Sequence, residues 1–124
     1  MTEEDKELLL RDLCGRLPYF TKVQIKNEIV ILDSICDDDG YYFNFIGDDR
    51  EGVNIEKIKP YLFPLSNMTE EQRKEFDTTL KYLPAEEIDI WTLNTYDWCD
   101  KNHFDYRGLI KKGLAIDATN KNIY

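Results

Sequence analysis

Apolar positions change period twice along this chain. Leu9, Leu10, Leu13 and Leu17 recur at helical spacing, the residues from Thr21 to Phe63 alternate, and Phe76, Leu80 and Leu83 return to a helical stripe. The first stripe predicts an N-terminal helix. Thr2 is placed to cap it, and Glu3, Glu4 and Asp5 fill the first turn, where carboxylates complement the positive end of the helix dipole. Gly15 weakens its last turn and Pro18 ends it.

The alternating stretch predicts strands. Val23 and Ile25 share one face and Lys22 and Gln24 the other, and Lys26-Asn27-Glu28 forms a tight turn. The run Ile29 to Cys36 opens almost continuously apolar, as a strand covered on both faces would, which calls for a helix on its outer side. Asp37-Asp38-Asp39-Gly40 is a hairpin loop, and Tyr41, Phe43 and Phe45 then share a face. A second acidic loop, Asp48-Asp49-Arg50-Glu51-Gly52, leads to Val53–Glu56. Lys57-Ile58-Lys59-Pro60 reads as a one-turn helix before a closing strand at Tyr61–Phe63.

Four strands, a single turn and a fifth strand give the order of an SH3-like barrel. The fold expected is therefore α+β and a single domain: an N-terminal helix over 1–18, a barrel of about five strands over 19–64, and a helical part with a polar tail over 65–124. In that last part Thr69-Glu70-Glu71-Gln72 is a capping box, and Pro84 closes its helix. Ile88, Ile90, Trp91 and Leu93 cluster without a clear period, and Thr95 caps a short helix running to about His103.

Composition narrows the class. The chain has 124 residues, 42% of them hydrophobic and 13% aromatic, enough for one core without metal or disulfide. No apolar run approaches the ~20 residues that cross a bilayer, and the acidic N-terminus is unlike a signal peptide, so a cytoplasmic protein is expected. Cys14, Cys36 and Cys99 are an odd, widely spaced set, suited to free thiols. The net charge of −9 disfavours direct nucleic-acid binding and favours basic protein partners.

Candidate chemistry is sparse. Cys99 and His103 stand four apart and would share a helix face, with Asp97, Asp100 or Asp105 to orient the imidazole, which is the pattern of a cysteine-dependent hydrolase. Nucleophile and base normally come from separate elements, however, so a non-enzymatic protein is the stronger reading. One histidine and three scattered cysteines lack zinc-site spacing, and Asp37–Asp39 lacks the EF-hand rhythm; no metal or other cofactor is expected. No phosphate-binding glycine loop or nucleophile elbow is present. Lys101, Arg107, Lys111, Lys112 and Lys121 are the basic residues a nucleic-acid binder would use, diluted by Asp100 and Asp105.

Aromatic residues beside carboxylates suit a partner surface. Tyr42 and Tyr61 fall at exposed strand positions by alternation, and Trp91 and Trp98 are of the type that anchors interfaces. The candidate partner-binding set is thus Asp37, Asp38, Asp39, Asp48, Asp49, Glu51, Tyr42, Tyr61, Trp91 and Trp98.

The segments Glu3–Cys14, Ile58-Lys59-Pro60-Tyr61-Leu62, Ser66-Asn67-Met68-Thr69-Glu70-Glu71 and His103-Phe104-Asp105-Tyr106-Arg107-Gly108-Leu109-Ile110 resemble a family of short proteins of gut anaerobes and their phages and mobile elements. No activity is attached to that family. The resemblance implies accessory cargo acting by binding a host complex, including nucleic-acid-handling defence machinery, and the acidic loops point to a basic surface on the host protein.

Overall fold

The computed structural model describes residues 1–37, 40–50, 52–81 and 97–124, with side chains omitted over 78–81. The order is helix α1 (Glu3–Arg16), a 3-10 turn (Leu17–Tyr19), and strands β1 (Lys22–Ile25), β2 (Glu28–Asp37), β3 (Tyr41–Phe45) and β4 (Val53–Asn54). A second 3-10 turn (Ile55–Lys57), β5 (Ile58–Pro64), a third 3-10 turn (Leu65–Asn67), helix α2 (Glu70–Lys81) and strands β6 (Phe104–Asp105) and β7 (Ile116–Asp117) follow. Residues 97–101 are also helical.

Both helix starts form as their sequences dictate. The Asp5 N–H donates to Thr2 Oγ1 at 3.1 Å. In the capping box Gln72 N–H donates to Thr69 Oγ1 at 3.1 Å, and Thr69 N–H donates to Gln72 Oε1 at 2.9 Å. Gly15 lies inside α1, and the 3-10 turn carries Pro18.

β1 through β4 form an antiparallel meander, and β1 also pairs with β5, matching Ile25 to Ile58 and Val23 to Pro60. Alternation puts Val23, Ile25, Leu32, Phe43, Phe45 and Ile58 on the inner face, where Leu9 and Leu13 of α1 cover them. The outer face is barer than the apolar run in β2 suggests, and Ile29 is 52% exposed. No described helix covers it there.

The sheet is mixed and open. Its order is β4-β3-β2-β1-β5-β6, with β7 also paired to β5. The expected closed barrel does not form because β5 is already occupied. Phe63 N–H donates to the His103 carbonyl at 2.8 Å, and the Leu62 carbonyl accepts from Ala118 N–H at 2.8 Å. Successive strand residues direct their backbone groups to opposite edges, so the C-terminal segment takes both edges of β5 at Leu62 and Phe63. The C-terminal part is accordingly not all helical. Its parallel strands β6 and β7 match Phe63 to Phe104 and Tyr61 to Ile116. Strand β5 also starts earlier than alternation predicts, with the single turn at Ile55–Lys57 and Pro60 inside the strand. The cluster around Ile88, Ile90, Trp91 and Leu93, the Thr95 cap and the Pro84 stop lie outside the described residues. No described helix is long and apolar enough to cross a membrane.

Candidate functional site

Two polar constellations are available, one buried and one open. The buried one grows from α1. Asp12 and Arg16 are a helical i,i+4 pair turned inward, both side chains fully buried. Arg16 Nε donates to Asp12 Oδ2 at 2.8 Å and Nη2 to Asp12 Oδ1 at 3.1 Å, a bidentate pair. The remaining guanidinium edge reaches the C-terminal segment, donating from Nη2 to the Phe104 carbonyl at 2.6 Å and from Nη1 to the Cys99 carbonyl at 3.5 Å. Asp100 Oδ1 lies 3.8 Å from Arg16 Nε, and Arg107 Nε lies 3.4 Å from Asp12 Oδ1. Both Arg16 and Arg107 stand over the Tyr106 ring.

Burial alone would lower the Arg16 pKa, but the charge and hydrogen bonds of Asp12 leave it raised. Burial pushes Asp100 up to about 6, with Arg16 opposing. Gly15 makes this approach possible, since a Cβ there would lie 2.8 Å from Asp100 Oδ2. The cluster crosslinks α1 to residues 99–107.

Burial shifts Cys99 and His103 away from the chemistry of a nucleophile pair. Burial pushes the Cys99 thiol up to about 11 and the His103 imidazole down to about 4. A reactive thiolate beside a base needs both shifts in the opposite sense. Helical geometry also stops short of His103, whose φ is 62°. Among the described residues no three His, Cys, Asp or Glu side chains converge as metal ligands. Asp105, offered above as an orienting group, instead caps a turn: Oδ1 accepts from Leu109 N–H at 2.9 Å and Oδ2 from Ile110 N–H at 3.0 Å.

The open constellation is a groove of about 660 Å³ between the first turns of α1, the β2–β3 hairpin and the Ile55–Lys57 turn. Leu10, Tyr41 and Ile55 supply its apolar surface, and Glu3, Glu4 and Glu7 its carboxylates. Lys6 and Arg11 line it as well but are engaged. Lys6 Nζ lies 2.7 Å from Glu56 and 3.3 Å from Glu3, and Arg11 Nη2 lies 2.9 Å from Glu7. Glu4 has no ion-pair partner among the described residues. Tyr41 is 49% exposed, although alternation pairs it with the buried Phe43 and Phe45, because it stands at the hairpin end of β3 beyond the reach of α1 packing.

Of the two predicted acidic loops, the first reaches this groove through Gly40, while Asp48 and Arg50 of the second lie toward the other end of the β2–β3 pair, where Arg50 meets Glu28. A Cβ at Gly40 would lie 3.5 Å from the Tyr42 ring and one at Gly52 3.6 Å from the Tyr42 side chain, which is half-buried on the strand face opposite Tyr41. Asp37 and Asp49 are exposed and Asp48 half-buried. Asp48 Oδ1 accepts from Arg50 N–H at 2.9 Å, and the Arg50 side chain pairs with Glu28, so part of the second loop's charge is neutralised locally. Asp38, Asp39, Glu51 and Trp91 lie outside the described residues.

The two other aromatic candidates are not surface anchors. Tyr61 is 5% exposed, because Pro60, Tyr61 and Leu62 are all buried where the C-terminal segment pairs with β5. Trp98 is 8% exposed, stacked on Phe104 with centroids 5.7 Å apart and tilted against Phe76 at 5.3 Å. Sequence reasoning missed Tyr41, Glu4 and the Asp12–Arg16 pair. The last had a signal, an acid four residues before a base on the stripe side of an amphipathic helix. The basic residues Lys101, Lys111, Lys112 and Lys121 are exposed, while Arg107 is drawn into the buried cluster. No protein-family model, curated protein or solved structure matches the chain.

Proposed function

We propose that this protein is a small non-enzymatic interaction module, cytoplasmic and carried as accessory cargo of a phage or mobile element, that occupies a basic surface of a host protein. The observation that carries the reading is the groove in which the exposed Tyr41 ring meets Leu10, Ile55 and the carboxylates of Glu3, Glu4 and Glu7 on the first turns of α1. Exposed rings flanked by carboxylates suit a partner bearing Arg and apolar groups: the rings supply desolvated contact area and the carboxylates steer encounter. A host surface that otherwise handles DNA or RNA has this chemistry. The sheet supports the same role, since four antiparallel strands, a 3-10 turn and a returning strand follow the element order of SH3-like domains, which serve widely as peptide platforms. Here the closing position is taken by β6 and β7.

Affinity capture from the native host, followed by charge reversal at Glu4, Asp37 and Asp49 together, tests the proposal. The expected result is a captured protein whose association rate falls about tenfold at low salt and loses its salt dependence in the reversed variant. Tyr41→Ala should speed dissociation instead. Capture that is indifferent to all four positions would overturn the reading.

A further inference from the structure

Along one edge, β5 changes partner. It pairs with β1 as far as Val23 and Pro60, and with β6 from Phe63 onward. Tyr61 falls in the gap between them, and a side chain fills it. The Tyr124 hydroxyl donates to the Tyr61 carbonyl at 2.9 Å and accepts from Lys22 N–H at 2.9 Å, with the Lys22 carbonyl at 3.4 Å. Its ring lies parallel to the His103 imidazole, centroids 3.7 Å apart and planes 10° apart, and is tilted against Phe63 at 5.9 Å. Lys22 Nζ is 5.8 Å from the ring centroid and donates to the Ile123 carbonyl at 2.5 Å.

We propose that this seam is a binding slot for a phenolic side chain, filled in cis by Tyr124 and available to a tyrosine presented by another polypeptide when the tail lifts. The slot is built for a phenol in particular. One hydroxyl satisfies a backbone donor and a backbone acceptor at once, whereas a plain phenyl ring would leave both without that partner. The His103 imidazole adds a flat wall on which an aromatic ring stacks, so the ring is held by contact and the hydroxyl supplies the selectivity. The strap that delivers Tyr124 is lightly held. Asn120, Lys121 and Asn122 are exposed, the two asparagines have φ of 60° and 53°, and no described residue between Ala118 and Tyr124 is fully buried. Tyr124 itself keeps 42% exposure with its hydroxyl inserted, so it can leave without opening the core.

The test is ligand rescue of Tyr124→Ala. Addition of p-cresol should raise the thermal midpoint of that variant saturably, toluene should act at least about tenfold more weakly, and the parent protein, whose slot is full, should not respond. A fluorescent peptide of residues 118–124 should bind the variant in trans, about tenfold tighter than its Tyr124→Phe counterpart. Should the alanine variant fail to fold, Tyr124→Phe keeps the ring; p-cresol should then displace the phenyl group and shift the His103 ring resonances. An alanine variant blind to p-cresol, a parent that responds equally, or unmoved His103 resonances in the phenylalanine variant would overturn the proposal.

Discussion

The meander of β1 to β5 and the segment from residue 97 to 124 share one apolar core and differ in their buried polar ties. The meander is antiparallel, joined by short loops, and buries Val23, Leu32, Phe43 and Ile58 under Leu9 and Leu13. The later segment contributes only two-residue strands and adds Leu109, Leu114 and Ala115 to the same core, but it is also tied by individual polar contacts: Arg16 to the carbonyls of Cys99 and Phe104, and Tyr19 to Asp97. A periodic apolar face tolerates a small loss almost anywhere along it. A buried charge cluster does not, because removing one member strands the others in a medium that solvates them poorly.

Arg16→Ala is therefore the largest expected single effect, about 3 to 5 kcal/mol, since Asp12 is left fully buried without its bidentate partner and with only Arg107 Nε nearby at 3.4 Å. Leu13→Ala in the apolar core costs a similar 2 to 5 kcal/mol by transfer and cavity terms. The two differ in what opens. Hydrogen exchange should show Arg16→Ala deprotecting the amides of β6 and β7 while β2 and β3 stay protected, whereas Leu13→Ala lowers protection throughout. Equal loss in both regions would erase the distinction. Gly15→Ala comes next. An exposed helical site would gain roughly 1 kcal/mol from that change, but here the new Cβ meets Asp100 Oδ2 at 2.8 Å, so a net loss of about 1 to 3 kcal/mol is expected in urea unfolding. A stabilised variant would mean that Asp100 is free to move off α1.

What was legible divides along the same line. Both capped helix starts, the alternation of Val23 and Ile25, the turn before β2 and the acidic hairpins follow from local rules, and the structure has them. Barrel closure failed because the competitor for β5 lies about forty residues away in Phe104 and about fifty in Ile116, and two-residue strands carry no periodic signal. Tyr61 failed for the same reason: alternation assigns it the open face, and only the distant segment buries it. In the candidate site, the carboxylates of Glu3 and Glu4 were visible as an acidic first turn, while Tyr41 became a candidate only once α1 and Gly40–Tyr41 met around the groove.

Titration offers the finest separation of the two regions. Asp100 has its folded pKa raised to about 6 from an ordinary value of 3.8, so its contribution to stability is fully present below 3.8 and is lost as pH rises through 6. His103 has its folded pKa lowered to about 4 from 6.5, so its contribution is present above 6.5 and is lost as pH falls toward 4. Between these limits the unfolded chain binds the histidine proton while the native state binds the Asp100 proton, and the two slopes cancel. Asp100→Asn removes one of them. Relative to the parent, its unfolding free energy should fall on acidification from pH 6 to pH 4.5 by about 1.4 kcal/mol per pH unit at the steepest, the limit for one uncompensated proton. Urea midpoints across that range measure it, and differencing against the parent removes the exposed carboxylates common to both. Parallel curves would mean that Asp100 stays ionised beside Arg16, and the cluster would then be a fixed ion-pair network rather than one that exchanges a proton as it holds the C-terminal segment to α1.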